Sequence, residues 1–265
     1  MLKSFFFIPG NHSKLIEKID TIKASQIVID LEDAFDNDKI AESLTRIKKI
    51  SNLNNLFFRI DFFDNDVLKK DVFTYLINLG VNKFVIPKFK SLKQLKLIEK
   101  LISNNSKFSF ILLIENPNSL FSLQNILSNT KLKVIGLGFG SHDYCNEIGM
   151  KHNIELLYYP RFLIAGLAKA FNITSIDIAC MEIDNKNVFL DEIKSAYSYG
   201  FDAKFIIHPK QLNLLKYPDE KELNEAKEII QVYNNKGKPT IFKYNGKAIE
   251  PPHIKYYINL IKNHK

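Results

Sequence analysis

Two acidic residues at the ends of apolar segments are the strongest candidates for chemistry. Glu115 follows the apolar run FILLI directly, and Asp143 follows the run KVIGL by a few residues. If the two runs are neighbouring parallel strands, about 4.8 Å apart, acids beyond their carboxyl ends can converge on one cation. Mg²⁺ takes one or two protein carboxylates and leaves its other positions to water and substrate. The pair predicts a Mg²⁺ site acting as a Lewis acid on an oxo acid.

Each acid also has a simpler interpretation. Glu115 would cap a helix that begins at Pro117, and Asp143 would lie in the solvated first turn of another helix. For either residue alone this interpretation is at least as good as the metal site. Their occurrence together after adjacent strands favours the metal.

Arg59 stands out because the chain carries 37 basic residues, of which only three are arginine. It ends the apolar run FFRI, where a planar guanidinium can hold a substrate carboxylate through two hydrogen bonds. The alternative is a buried ion pair with the acids that follow the second strand, and the two interpretations are compatible.

A dense acidic cluster follows the second predicted strand and contains Asp30, Glu32 and Asp33. Three carboxylates that close repel one another unless cations or hydrogen-bond donors lie among them. We expect them to hold metal-bound water and to pair with Arg59 or Lys88. Asp33 alone has a further interpretation as a helix cap.

The stretch GLGFGSHDY, from Gly136 to Tyr144, carries three glycines after a predicted strand and before a predicted helix. Backbone N–H groups in such a turn can approach an anionic oxygen, and Gly140 and Ser141 are therefore predicted to bind substrate. His142 is a base, a ligand or an exposed turn residue, of which the exposed turn residue is the default.

The elements that must position these residues follow a β–α period. Helical patterns separate the apolar runs, which is typical of parallel βα units. Eight such units predict a single (β/α)8 TIM barrel over residues 1–215, with a short C-terminal helix and lid segment over residues 216–265. The predicted strands are Ser4–Ile8, Gln26–Asp30, Leu56–Ile60, Lys83–Ile86, Phe108–Ile114, Lys133–Leu137, Ile173–Ile178 and Ala203–Ile207.

Composition excludes several classes of protein. A hydrophobic content of 46% is too high for a disordered polyelectrolyte. The two cysteines are too few for a disulfide framework, which favours a reducing cytoplasm. No segment is apolar for long enough to span a membrane. The net charge of +8 is carried by lysines spread along solvated helix faces, so we expect no nucleic-acid partner.

Seven motifs follow one another along the chain and span about four-fifths of the sequence. They are FFIPGNHSKLIEK at Phe6–Lys18, VIDLEDA at Val28–Ala34, FFRID at Phe57–Asp61, FVIPKFKS at Phe84–Ser91, LIENPNSL at Leu113–Leu120, GFGSHDY at Gly138–Tyr144 and GFDAKFIIHPKQ at Gly200–Gln211. As a set in this order, they make the chain resemble the citrate lyase β-subunit-like group of the HpcH/HpaI aldolase superfamily.

The resemblance implies a Mg²⁺-dependent barrel that cleaves or forms carbon–carbon bonds in citryl-, malyl- or related acyl-CoA thioesters. Glu115 and Asp143 would be the metal ligands, and Arg59 would bind the carboxylate of an oxo-acid fragment. The turn Pro9–Gly10–Asn11 and Lys14 would lie near the coenzyme. The tail would act as a lid on a neighbouring subunit of a homotrimer.

Three departures from the group's pattern are visible. The usual Ala-Glu-Asp reads Ser141–His142–Asp143, the acid of the lid reads Glu250 in place of aspartate, and a glycine before the last strand's lysine reads Ala203. The metal ligands remain, whereas the substrate and the catalytic role of Glu250 stay open.

The leading hypothesis is a Mg²⁺-dependent carbon–carbon lyase acting on a β-hydroxy acyl thioester. If water intercepts the thioester, the same site would act as a thioesterase. The alternatives are an aldolase acting on a free 4-hydroxy-2-oxo acid, and a non-catalytic barrel that serves as an assembly subunit or ligand sensor.

Overall fold

Eight parallel strands close into a barrel in the computed structural model, which describes residues 2–32, 37–64, 66–103, 107–215 and 220–262, with residues 37–40 described by their backbone alone. Going round the barrel, the strand order is β1-β8-β7-β6-β5-β4-β3-β2. The strands are β1 (Lys3–Pro9), β2 (Gln26–Leu31), β3 (Phe57–Ile60), β4 (Lys83–Ile86), β5 (Ser109–Ile114), β6 (Val134–Phe139), β7 (Thr174–Asp177) and β8 (Ala203–Ile206).

The barrel confirms the predicted fold class, and each strand end lies within two residues of its predicted position. Alternate residues of the strands fill the barrel interior. The other face of each strand is covered by helices, and for this reason the strands read as continuous apolar runs. The interior cluster contains Phe5, Val28, Phe57, Val85, Ile111, Leu113, Ile176, Ala203 and Phe205.

Helices connect successive strands and complete the βα units. In the barrel unit, Lys3–Leu214, they are α1 (Ser13–Glu17), α2 (Asn37–Ile47), α3 (Asp71–Asn78), α4 (Leu92–Leu101), α5 (Pro117–Phe121), α6 (Leu123–Asn129), α7 (Ser141–Glu147), α8 (Tyr158–Ala170), α9 (Lys186–Ser198) and α10 (Pro209–Leu212). A two-stranded ribbon, Phe63–Asp64 with Val67–Leu68, follows β3.

Gly138, expected in the turn after the strand, lies inside strand β6 together with Gly136, which the predicted strand Lys133–Leu137 already contained. A Cβ at Gly138 would stand 2.4 Å from the Phe205 ring, and one at Gly136 would stand 3.1 Å from the carbonyl oxygen of Thr174. These two glycines make room for tight packing with the neighbouring strands, so the expected position of Gly138 in a turn was wrong. Gly140 alone lies beyond the strand.

A second compact unit contains Leu2 and the described part of Leu215–Lys265. It consists of α11 (Glu220–Asn235), the antiparallel hairpin β9 (Phe242–Tyr244) and β10 (Lys247–Ile249), and α12 (Pro251–Lys262). Its core is formed by Ile229, Phe242, Ile249 and Ile254. Among the residues that the structure describes, no helix has the length and apolarity to cross a bilayer.

Candidate active site

A cavity of about 230 Å³ opens where the barrel strands end. Strand ends are where the active sites of such barrels are found. The cavity is lined by Phe7, Pro9, Asp30, Arg59, Leu113, Phe139, Gly140, Ser141, His142, Asp143, Ala179, Met181, Phe205 and Ile207.

Glu115 follows β5 and is buried beside this cavity, with 3% of its surface exposed. Its Oε2 accepts a hydrogen bond of 2.6 Å from the backbone N–H of Lys88. Its Oε1 is buried and has no hydrogen-bond partner among the described residues. A buried polar atom without a partner is costly and is commonly explained by an ion or water.

The electrostatic environment of Glu115 disfavours its negative charge. Burial and the nearby charge of Glu32 raise its pKa from 4.5 to about 8, although the Lys88 N–H and Arg59 act in the opposite direction. The charge of Asp143 contributes to the rise. A cation between the two carboxylates would reverse this repulsion.

The residue that caps helix α5 is Asn116, so the capping interpretation of Glu115 was wrong. Asn116 Oδ1 accepts a hydrogen bond of 2.9 Å from the backbone N–H of Ser119. Its Nδ2 donates to the carbonyl oxygen of Phe89 at 2.9 Å. The adjacent Glu115 is therefore not required at the helix terminus.

Because Gly140 has no side chain, Glu115 can lie close to the first turn of α7. The Gly140 N–H donates to the carbonyl oxygen of Ile114 at 2.9 Å, so this N–H group is engaged in a backbone hydrogen bond. A Cβ at position 140 would lie 2.4 Å from Glu115 Cγ and 2.7 Å from Oε1. Asp143 lies half-buried in the same turn and lines the cavity. The structure thus brings the two predicted metal ligands to one place.

Substituting Gly140 with alanine is expected to weaken Mg²⁺ binding roughly 10-fold or more, because the new methyl group must displace Glu115 and small misplacements of a site are costly. The backbone itself tolerates alanine, since φ is −86°. Isothermal titration with Mg²⁺ measures the effect. Gly166→Ala is the control, because nothing lies within 4 Å of a Cβ there. Equal affinities in the two variants would contradict the expectation.

Arg59, at the end of β3, is held between two acids. Its Nε and Nη2 donate to the two oxygens of Asp30 at 2.8 and 2.6 Å, and its Nη1 lies 2.7 Å from Glu32 Oε2. The guanidinium carbon lies 5.0 Å from the ring centre of Phe7. Burial lowers the pKa of Arg59, but the hydrogen bond and charges of the acids outweigh burial and raise it above its ordinary value. The predicted ion pair therefore exists. Asp30 accepts hydrogen bonds from two of the guanidinium N–H groups, and Glu32 lies at ion-pair distance from a third nitrogen.

Lys88 links the acidic cluster to Glu115. Its Nζ lies 3.0 Å from Glu32 Oε1, while its backbone N–H binds Glu115. Its φ of 49° is rare for a residue with a side chain. The expected pairing of the cluster with Arg59 and Lys88 thus involves Asp30 and Glu32, whereas Asp33 lies outside the described residues.

The structure gives the position of the other predicted site residues but shows no contact that defines their function. Pro9 and Ser141 line the cavity. Gly10 is buried against Leu31 and the carbonyl oxygen of Asp30, and Lys14 is exposed on α1. Glu250 belongs to the second unit and is exposed. The assigned functions of these residues stay predictions.

The donor set fits Mg²⁺. No group of three or more histidine, cysteine or acidic side chains suited to a metal occurs in the described part of the chain. A site with one or two carboxylates is, however, what Mg²⁺ uses when substrate and water complete its coordination. Glu115, whose Oε1 has no partner among the residues that the structure describes, and Asp143 would hold the ion.

The segments that carry these strand-end residues match a known protein family. The sequence model of the HpcH/HpaI aldolase/citrate lyase family matches residues 3–209. The chain belongs to this family. Membership confirms the resemblance seen in the motifs and the lyase class of enzyme expected from it.

Two curated relatives of this family member cover nearly its whole length. The citrate lyase subunit beta of Leuconostoc mesenteroides subsp. cremoris is 24% identical over 273 residues, covering 94% of this chain and 89% of the relative. The mitochondrial citramalyl-CoA lyase of Rattus norvegicus is 25% identical over 288 residues, covering 98% and 85%.

One solved structure is similar in fold to this family member over residues of both units. CitE from Mycobacterium tuberculosis, crystallised with magnesium, acetoacetate and coenzyme A, has a TM-score of 0.83 and 17% identity, covering 99% of this chain and 98% of that one.

Sequence reasoning missed two contributors to the site. Phe7 lies under Arg59, and His152 contacts both Ser141 and His142. Phe7 was hidden among other strand aromatics, although inward strand positions alternate and could have been counted. His152 lies in the loop after α7, and no local pattern indicates its return to the site.

Proposed function

We propose that this family member is a Mg²⁺-dependent carbon–carbon lyase that splits a β-hydroxy acyl-CoA thioester into an acyl-CoA and an oxo acid. The observation that carries the proposal is the buried Oε1 of Glu115, which has no hydrogen-bond partner within the described part of the chain and feels the charge of Asp143. The relative named citramalyl-CoA lyase and the coenzyme A in the CitE complex support a CoA thioester as substrate.

Cleavage of such a substrate breaks one carbon–carbon bond and converts a hydroxyl group into a carbonyl group. The β-hydroxyl group loses its proton and becomes the carbonyl of the oxo acid. The electrons of the broken carbon–carbon bond form an enolate of the thioester, which then takes up a proton. When bound, Mg²⁺ supplies the Lewis acidity that stabilises the developing oxygen charge.

The residues of this chain would orient the substrate. Glu115 and Asp143 would hold the cation, and guanidinium N–H groups of Arg59 that Asp30 does not use would bind the substrate carboxylate. Asp30 and Glu32 fix the guanidinium in one orientation, which lowers the entropy cost of positioning the substrate. Leu113, Phe139 and Phe205 give the cavity wall an apolar part.

Two further assignments belong to the same proposal. Pro9, Gly10 and the exposed Lys14 would lie along the CoA arm, since an exposed lysine suits a phosphate-bearing ligand. In a homotrimer, Glu250 of a neighbouring subunit would deliver the proton to the enolate. Its exposure on the single chain is compatible with this assignment.

The purified chain is expected to convert citramalyl-CoA to acetyl-CoA and pyruvate, or citryl-CoA to acetyl-CoA and oxaloacetate, with Mg²⁺, and to lose the activity in EDTA. Chromatography of the CoA products and enzymatic assay of the oxo acid measure this. Release of free CoA without an oxo acid would indicate a thioesterase. Cleavage of only a free 4-hydroxy-2-oxo acid would indicate the aldolase alternative.

A further inference from the structure

A buried glutamine, Gln211, joins the ends of two barrel strands and has no role in the proposed cleavage. It lies on α10, directly after β8, at the end of the last of the seven sequence motifs. Its Nε2 donates to the carbonyl oxygen of Cys180 at 2.9 Å, and its Oε1 accepts from the backbone N–H of Ile207 at 3.1 Å. Both ends of the side-chain amide therefore bind backbone groups.

The Gln211 amide continues the pairing of two neighbouring strands. The parallel ladder between β7 and β8 ends at the pair of Asp177 with Lys204. Cys180 and Ile207 each lie three residues beyond this pair, so the groups that the amide joins keep the register of the strands. A side-chain amide carries the same kind of donor and acceptor as a peptide group, and it can replace a ladder contact where the strands have ended.

The segments that the Gln211 amide joins form one wall of the cavity. Ile207 lines the cavity, and so do the two neighbours of Cys180, which are Ala179 and Met181. The side chain of Met181 is half-exposed. A shift of either backbone group would therefore move side chains that line the cavity.

Lys204 holds the same wall from strand β8. Its buried Nζ donates to the carbonyl oxygen of Ile178 at 2.9 Å, two residues before the carbonyl group that Gln211 binds. Glu192 on α9 lies 2.9 Å from the same ammonium group and compensates its charge. Two buried side chains thus bind alternate carbonyl groups of the wall.

We propose that Gln211 is a positioning residue that fixes the cavity wall after β7 and so holds Met181 beside the bound substrate. The substrate itself rests on the proposed function. Without the amide, a buried N–H group and a buried carbonyl group would lose their partners, and the wall would have to move or admit water. The metal site should not be disturbed, because Glu115 and Asp143 follow other strands, β5 and β6.

The first test follows the methyl group of Met181 by NMR of protein labelled with ¹³C at its methionine methyl groups. The chain has three methionines, and Met181→Leu identifies the relevant signal. Gln211→Leu is expected to shift that signal or split it, because the wall loses its fixed conformation. Gln211→Glu should have the same effect in a fold that is less perturbed, since an ionised carboxylate still accepts from Ile207 N–H but cannot donate to Cys180.

Gln94→Leu is the matched control. Gln94 is also buried, and its amide also joins two partners, since Oε1 accepts from Lys90 N–H at 2.6 Å and Nε2 donates to Asp66 Oδ1 at 3.1 Å. It belongs to α4 and is not one of the described residues that line the cavity. The control should lower Tm and leave the Met181 signal at its wild-type position.

The second test separates KM from kcat for whichever of citramalyl-CoA and citryl-CoA the wild type cleaves. Gln211→Leu should raise KM roughly 5-fold, the effect of about one net hydrogen bond, with little change in kcat. The reason is that the wall contacts the substrate away from the metal. The rise in Tm on addition of Mg²⁺ should match that of the wild type.

An unchanged Met181 signal in both Gln211 variants would overturn the inference. An equal change in Gln94→Leu would overturn it too, because the effect would then be a general loosening of the barrel. If the wild-type chain cleaves neither thioester, the proposed function fails, and the Met181 signal still decides whether Gln211 holds the wall.

Discussion

Glu115→Gln is expected to abolish the stabilisation of the protein by Mg²⁺ and, with it, the proposed lyase activity. The amide can still accept the hydrogen bond from Lys88 N–H, so the local structure is retained. It cannot supply the negative charge that a hard cation requires. Because burial and the charges of Glu32 and Asp143 already disfavour the carboxylate form of Glu115, a neutral amide there should give a metal-free Tm equal to or above that of the wild type.

The measurement is a thermal unfolding series with and without Mg²⁺. At a Mg²⁺ concentration 100 times the dissociation constant, binding stabilises by about 2.7 kcal/mol, which raises Tm by roughly 5–10 °C in a chain of this size. That rise should vanish in Glu115→Gln. Asp143→Asn should behave in the same way, since it removes the second ligand.

Glu99→Gln is a matched control because Glu99 is also a buried carboxylate. It accepts hydrogen bonds from Thr130 Oγ1 and Lys131 N–H, and it does not line the cavity. The control variant should keep its full response to Mg²⁺ whatever its own Tm. A Glu115→Gln protein that responds to Mg²⁺ like the wild type would remove the basis for the proposed metal site.

Arg161→Leu is expected to destabilise the barrel by about 3–5 kcal/mol, the usual cost of removing one partner of a buried ion pair. Arg161 is 1% exposed and donates to both oxygens of Asp177, at 2.9 and 2.8 Å. It also donates to Ser195 and lies over the ring of Tyr199. Without it, Asp177 keeps only Lys204, at 3.7 Å, as a described charged partner. Chemical denaturation measures the change in free energy of unfolding.

Arg46→Leu provides the control for this substitution. Arg46 pairs with Glu42 one turn earlier on helix α2, and both side chains are partly exposed, at 29% and 62%. Such pairs contribute less than about 1 kcal/mol. If the two leucine variants lose similar amounts of stability, the buried network of Asp177 and Lys204 does not depend on Arg161.

The elements of the barrel were predictable because their signals are local. Strands that are covered on both faces appear as continuous apolar runs, separated here by segments with the periodicity of helices. This pattern can be recognised in the sequence without any tertiary information. One error concerned Gly138, which was expected in a turn and lies in strand β6. A glycine in a turn and a glycine that makes room for the Phe205 ring look alike in a sequence, and only packing distinguishes them.

The three arginines also show which information is local and which depends on the tertiary structure. Rarity among many lysines singled out Arg59, but Arg46 and Arg161 are equally rare and have other roles. Arg46 forms a surface pair on a helix, Arg59 is held at the cavity by Asp30 and Glu32, and Arg161 lies buried between α8 and β7. A residue type indicates what bonds are available to it, whereas burial and partners decide which of them form.

What this sequence determined by itself is the order of strands and helices, the family, and the set of acidic and basic residues beyond the strand ends. Tertiary structure alone decided which of them meet. Glu115 accepts a hydrogen bond from Lys88 N–H, Gly140 leaves room for its carboxylate against α7, and His152 stacks on His142. Local patterns record what each residue prefers along the chain. These contacts join residues at least ten positions apart, and they depend on the closed barrel and its loops, which bring the residues together.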